Sequence, residues 1–147
     1  MMTEPFSLKP GDVVSCSLED YVVESRTAYT SPRLSWTEWM LNSGDSDSRL
    51  VVALIGSQLY LGRPCFVEGR PGDQMVRVEG ALFDLRTSGR ADASMAYDTG
   101  ATRFDRAEFW HYRDVAGRLI AVRRGHLGEW AFDLEPIDPA VLQVYGA

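Results

Sequence analysis

Apolar and polar residues alternate with a period of two through most of this chain, the pattern of β-strands with one face turned inward. The clearest stretch is Trp36-Thr37-Glu38-Trp39-Met40-Leu41. It puts Trp36, Glu38 and Met40 on one face and Thr37, Trp39 and Leu41 on the other. A carboxylate between two large apolar side chains is costly to bury unless something pairs with it. Either that face is wet, or Glu38 has a partner.

The same alternation predicts strands from Val13, over Tyr21 to Arg26, Leu50 to Ile55, Gln58 to Leu61, Met75 to Phe83, Glu108 to Arg113, Leu119 to Arg123 and Glu129 to Leu134. Pro10-Gly11-Asp12, Gly56-Ser57, Asp114 to Gly117 and Gly125 to Gly128 read as turns, and Asn42 to Ser48 as a loop. The loop Glu68 to Asp73 is the expected boundary between two halves. Residues 87–107 are rich in small and polar side chains and predict two weak strands, near Ala91 to Tyr97 and Thr102 to Arg106. The tail from Pro136 to Tyr145 predicts a short turn and an edge strand. No segment carries a long 3.6-residue period between capping residues. Residues 1–10 read as a lead-in and 11–147 as one all-β domain, a compact antiparallel barrel or sandwich of about ten short strands.

The strands also repeat. Arg49 to Gly56 resembles Arg118 to Gly125, and an aromatic strand carrying a Glu precedes each: Glu38-Trp39 before the first, Glu108-Phe109-Trp110 before the second. Half-repeats over 11–67 and 74–135 would be two similar meanders that bury a shared core. On this alignment Glu38 and Glu108 are equivalent and face a common cavity if the halves are related by a two-fold axis.

Composition narrows the partners. At 147 residues the chain is long enough to bury a core without a metal or disulfide. Its 21 acidic against 15 basic residues give a net charge of −6, which disfavours nucleic acid. Fourteen of the basic residues are Arg, and Lys9 is the sole Lys. Cys16 and Cys65 form no C-x-x-C motif and read as two free buried thiols, with a single disulfide as the alternative. The amino terminus has no basic region followed by an apolar run, and the longest apolar run, Leu50 to Ile55, is too short to span a bilayer. A cytoplasmic location without membrane insertion is the expectation.

Gly11-Asp12, Tyr21-Val22-Val23, the tryptophan strand 36–41, Glu108-Phe109-Trp110-His111-Tyr112 and Gly128-Glu129-Trp130 together resemble the bacterial domain-of-unknown-function family 4178, over about Gly11 to Val144. One departure is the second hairpin, which ends Arg123-Arg124-Gly125 where an acidic or aromatic residue is expected. The resemblance transfers no catalytic residues. It implies an accessory role beside membrane-stress proteins of the phage-shock type, small membrane proteins or polyamine-synthase-like enzymes.

Candidate chemistry is sparse. His111 and His126 are the only histidines, and neither pairs with a Cys or His at a zinc-binding spacing, so no metal or other cofactor is expected. There is no nucleophile elbow and no glycine-rich phosphate loop. What remains is a set of aromatics, Trp36, Trp39, Trp110, Tyr112 and Trp130, on neighbouring strands with Glu38 and Glu108 beside them; they read either as ordinary core packing or as a surface lining a groove or interface. Such a surface suits a protein partner, or a cation held by π faces and carboxylates. The leading expectation is a non-catalytic binding or adaptor domain. The alternative is a barrel that binds a polyamine or another apolar cation. An enzyme that uses Glu38 or Glu108, one of them buried in a cleft, is the third reading.

Overall fold

The computed structural model describes residues 7–43 and 49–145; residues 1–6 of the expected lead-in and 44–48 of the expected loop lie outside the described residues. Eleven antiparallel strands form one sheet: β1 (Val13–Cys16), β2 (Glu19–Thr30), β3 (Ser35–Asn42), β4 (Arg49–Ile55), β5 (Gln58–Pro64), β6 (Met75–Val78), β7 (Ala81–Tyr97), β8 (Thr102–Arg113), β9 (Leu119–Gly125), β10 (Gly128–Ile137) and β11 (Gln143–Tyr145). A 3-10 turn, Pro139–Val141, precedes β11 and is capped by the Asp138 side chain. The strand order is β11-β1-β2-β3-β4-β5-β10-β9-β8-β7-β6, and β2 also pairs with β7. Strands β2 to β5 and β7 to β10 therefore close into a barrel-like ring, and β1 and β6 leave it as two flaps.

Both flaps arise in the same way. The first end of β2 pairs with β1, and its last residues, Ser25 to Thr30, pair with β7. A bulge between Val23 and Ser25 separates the two pairings. In β7, Ala81 to Asp84 pair with β6 and Asp92 to Tyr97 with β2, and a bulge lies between Leu85 and Thr87. A bulge bends its strand and raises its twist, so one long strand serves two directions. The hairpins that turn each flap are tight two-residue turns with positive φ at both positions, Ser17 (52°) and Leu18 (65°), Glu79 (49°) and Gly80 (82°), as such hairpins require.

Strands β1 to β5 and β6 to β10 have the same order and the same pairings. The seam between them is symmetric: Phe132 pairs with Pro64, Asp133 with Arg63 and Leu134 with Gly62.

Three cores follow from this arrangement. Inside the ring, Tyr29, Trp36, Tyr60, Phe109 and Phe132 pack against Ala53, Ala91, Ala93, Ala107 and Ala121. Large rings facing small side chains are what a narrow barrel interior accommodates. Under the first flap, Leu8, Val14, Tyr21 and Leu142 cover Trp39 and Leu41 on the outer face of β3. Under the second, Val76, Val78 and Phe83 cover Tyr112, Ile120 and Val122 on the outer faces of β8 and β9. Each fully buried side chain of this size contributes about 1.5–3 kcal/mol. The flaps are therefore part of the folded core and do not ride on it as decoration.

The predicted strand Met75 to Phe83 is two strands, because the left-handed pair Glu79-Gly80 reverses the chain. The two weak strands expected in 87–107 belong to continuous long strands, β7 and β8. Their polar composition reflects solvent exposure, over 86–90 and at Ser94, Thr102 and Arg106 beyond, not a break in the sheet.

Candidate functional site

On β3 the inner face carries Trp36, Glu38 and Met40, and the outer face carries Trp39 and Leu41. Both faces are covered, so Glu38 is only 6% exposed. Its partner is Arg123 on β9, which is fully buried. Arg123 donates from Nε (3.1 Å) and from a terminal nitrogen (2.5 Å) to Glu38 Oε2, and Trp36 Nε1 donates to the same oxygen at 3.0 Å. Another terminal nitrogen of Arg123 donates to the Val122 carbonyl at 3.1 Å. The guanidinium also lies over the rings of Trp36 (4.8 Å) and Tyr29 (5.4 Å), which stack on each other at 4.7 Å. Desolvating two charges is offset here by hydrogen bonds and by aromatic faces that attract the cation. Burial, followed by the negative charge of Glu38, pushes the Tyr29 hydroxyl well above its ordinary range, so Tyr29 stays neutral.

The cross-strand register explains why the pair fits. Glu38 faces Ala53 across β3–β4, and Phe109 faces Arg123 across β8–β9. Each half supplies one charged side chain, and the small Ala53 leaves the interior room for them.

His111 is the other buried polar residue of the ring interior. Its ring lies 5.3 Å from both Trp36 and Phe109, and its Nε2 has no hydrogen-bond partner among the described residues. Burial, then the positive charges of Arg123 and Arg113, push its pKa well below 6.5, so it is neutral in the fold. The unfolded chain binds this proton first as pH drops. Stability from His111 is therefore complete above about 6.5 and is lost below it. We expect a slope of up to about 1.4 kcal/mol per pH unit beneath that point. His111→Met, which copies Met40 at the corresponding place of the other half, removes it. Urea melts of both proteins across this range check this, and an unchanged slope in the variant rejects it.

The predicted site residues do not form one surface. Trp36 and Glu38 face the interior. Trp39 lies under the first flap, where its Nε1 donates to the Leu8 carbonyl at 3.1 Å. Trp110 and Tyr112 lie on the outer face under the second flap, and the Tyr112 hydroxyl accepts from Gly72 N at 3.1 Å. Trp130 is half-buried and packs against the interior core. The expected exposed aromatic surface is thus absent, because each flap covers the face that was left over.

The expected equivalence of Glu38 and Glu108 is also corrected. The bulges and registers match Met40 with His111, and hence Trp39 with Trp110 and Glu38 with Phe109. Glu108 corresponds to Thr37 and lies on the outside, 3.7 Å from Arg124 with its side chain 40% exposed. The sequence alignment was one residue out of step, and in a strand one residue exchanges the faces. The two carboxylates share no cavity.

A cavity of about 440 Å³ does open at one mouth of the ring. Glu38 and Tyr29 lie at its inner end, and Met95, Tyr97, Trp130 and Phe132 form walls. The Tyr97 hydroxyl donates to Met95 Sδ at 3.4 Å and holds that wall. Glu24 and Arg49 stand at the rim 4.0 Å apart, and Asn42 donates to Glu24 at 2.6 Å. Both cysteines are free, and burial pushes the Cys65 thiol up to about 12, which makes it a poor nucleophile. Among the described residues, no group of three or more His, Cys, Asp or Glu side chains is placed to hold a metal ion, and no helix is long and apolar enough to cross a membrane.

The sequence reading missed Arg123, Tyr29 and Tyr97. The signal for Arg123 was present: it is the basic residue that departs from the expected pattern at the end of the second hairpin.

The fold and site define an all-β domain with a mouth cavity and a buried ion pair. The chain belongs to the domain of unknown function family DUF4178, whose profile matches residues 9–132. No curated protein and no solved structure matches it.

Proposed function

We propose that the protein is a non-catalytic binding domain that takes a small, largely apolar ligand in the mouth of its ring. The observation that carries this reading is the cavity itself. It has aromatic and methionine walls and a few polar groups at its inner end and rim, the usual make-up of a ligand site at a barrel mouth. The acid–base reading is left without support, because Glu38 is tied to Arg123 and Glu108 is on the outside. The accessory role beside membrane-stress or polyamine-related proteins that the family resemblance implies accompanies this proposal.

A polyamine is the second reading, favoured by Glu24 and Glu38 in the lining. Both carboxylates already have an Arg beside them, so the cavity offers several ammonium groups little uncompensated charge. An aromatic molecule with one polar end fits the walls better. Calorimetric titration with naphthylmethylamine, naphthylmethanol and spermidine separates these outcomes. We expect both naphthyl compounds to bind and Trp130→Ala to weaken them about fivefold or more, equivalent to ~1 kcal/mol for one aromatic contact. Heat from spermidine alone supports the second reading, and no heat from any of the three removes the cavity as a site.

A further inference from the structure

The ring has a gap on the side where β2 meets β7. Its two seams differ: β5 and β10 pair on both sides of Arg63↔Asp133, from Leu59↔Ile137 to Pro64↔Phe132 with Cys65 N donating to the Ala131 carbonyl beyond, but β2 and β7 pair only from Ser25↔Tyr97 to Thr30↔Asp92. Repeating that last pairing by the two-fold relation would set a strand beside Thr87 to Ala91. Instead the chain turns away at Ser31, where Ser31 Oγ donates to the Leu34 carbonyl (2.6 Å) and accepts from Leu34 N (3.1 Å). Among the described residues, no strand pairs with Thr87 to Ala91 on this edge, although β8 pairs with the other. Residues Arg86 to Arg90 are all exposed, a run of five that no alternating strand covered on one face would show.

The vacant place has a defined chemistry. Gly89 lies on the inner side, and a Cβ there would stand 3.3 Å from the Phe109 ring, so the backbone lies directly over that ring. Phe109 and Leu34 give the gap an apolar floor. Around it stand Arg33, Arg86, Arg90 and Arg106, with Glu108 opposite Arg90 in the β7–β8 register and Asp92 3.4 Å from Arg106. Both members of that pair are about three-quarters exposed and therefore weakly held. Four guanidinium groups around one gap stand out in a chain of net charge −6. A second copy of the same edge would set Arg against Arg, which opposes self-pairing.

We propose that the β7 edge from Thr87 to Ala91 is a docking site for an acidic extended segment of a partner protein, which adds to the ring as a further strand. Backbone hydrogen bonds to β7 supply affinity, as in other strand additions. Alternate side chains divide the work: apolar ones settle on Phe109 and Leu34, and acidic ones meet Arg86, Arg90 and Arg106. This site is separate from the mouth cavity.

The test uses fluorescence anisotropy with a labelled peptide of alternating Glu and Val. Two control peptides replace Glu by Lys, or carry methyl groups on alternate backbone nitrogens. We expect the acidic peptide to bind, and both controls to bind about tenfold or more weakly. The doubly exposed variant Arg86→Glu/Arg90→Glu should lose binding to the same degree while keeping its urea midpoint. Hydrogen exchange should show new protection within 87–91 on binding. Equal binding of the methylated peptide overturns strand addition, since charge alone would then hold it. Absence of binding by the acidic peptide overturns the proposal outright. Dimerisation of the wild type that the variant abolishes in sedimentation would assign the edge to a second copy and overturn it as well.

Discussion

Arg123→Met destabilises this protein by about 3–5 kcal/mol, because it leaves the buried Glu38 carboxylate, at the inner end of the mouth cavity, with only Trp36 Nε1 as a protein donor. Glu38→Leu costs a comparable amount by stranding the guanidinium. The double variant Glu38→Leu/Arg123→Met behaves differently. With both charges replaced by apolar groups of similar size, stability returns to within about 1 kcal/mol of the wild type or exceeds it. Its interior keeps the stacked Tyr29 and Trp36, which lose a cation but remain packed. Urea denaturation of the four proteins forms a double-mutant cycle. A cycle with no coupling would mean that the pair does not hold the interior together, and that water reaches Glu38 through the mouth cavity. A double variant as unstable as the singles would show that the aromatic cage depends on the charge itself.

Gly62→Ala is the second large effect. Gly62 lies on β5 in the seam, opposite Leu134 of β10. A Cβ there would overlap the Asp133 carbonyl oxygen and stand 2.9 Å from Leu134 Cα. Both obstacles are backbone, so relief requires the two strands to separate where the halves join. Overpacking commonly costs about 1–3 kcal/mol when side chains can shift, and here we expect about 3 kcal/mol or more. Gly125→Ala provides the comparison. Its Cβ would meet the Asp105 carboxylate, a side chain that can swing away at the loss of its hydrogen bond to His126 N, worth about 1 kcal/mol. Equal effects for the two substitutions would remove the distinction between a backbone wall and a movable neighbour.

The two substitutions mark where sequence reading succeeds and where it stops. The alternation in 36–41 is enough to assign a strand and to single out Glu38 as a group in need of a partner. It does not name the partner, because Arg123 is 85 residues away and reaches Glu38 only after the ring closes. The repeat of hairpins was legible, but the residue-by-residue match was not. The bulges at Glu24 and Arg86 change the register without leaving a sequence signature, and a slip of one residue moved Glu108 to the wrong face. Trp39, Trp110 and Tyr112 looked like a binding surface because two-sided aromatic strands imply something uncovered. The flaps supply that cover, and a flap is a property of which hairpin folds over which face.

Local pattern alone settled that the chain is all-β, that its strands pair mainly as antiparallel neighbours and that the halves are alike. Those features depend on side-chain period and turn residues within a few positions of each other. Tertiary structure decided that the ring closes, that both tryptophan faces are covered, that Glu38 meets Arg123 and not Glu108, and that one edge of β7 stays open. Each of these depends on contacts between residues far apart in the chain. Their energies come from burial and charge pairing across the interior, which no local period records.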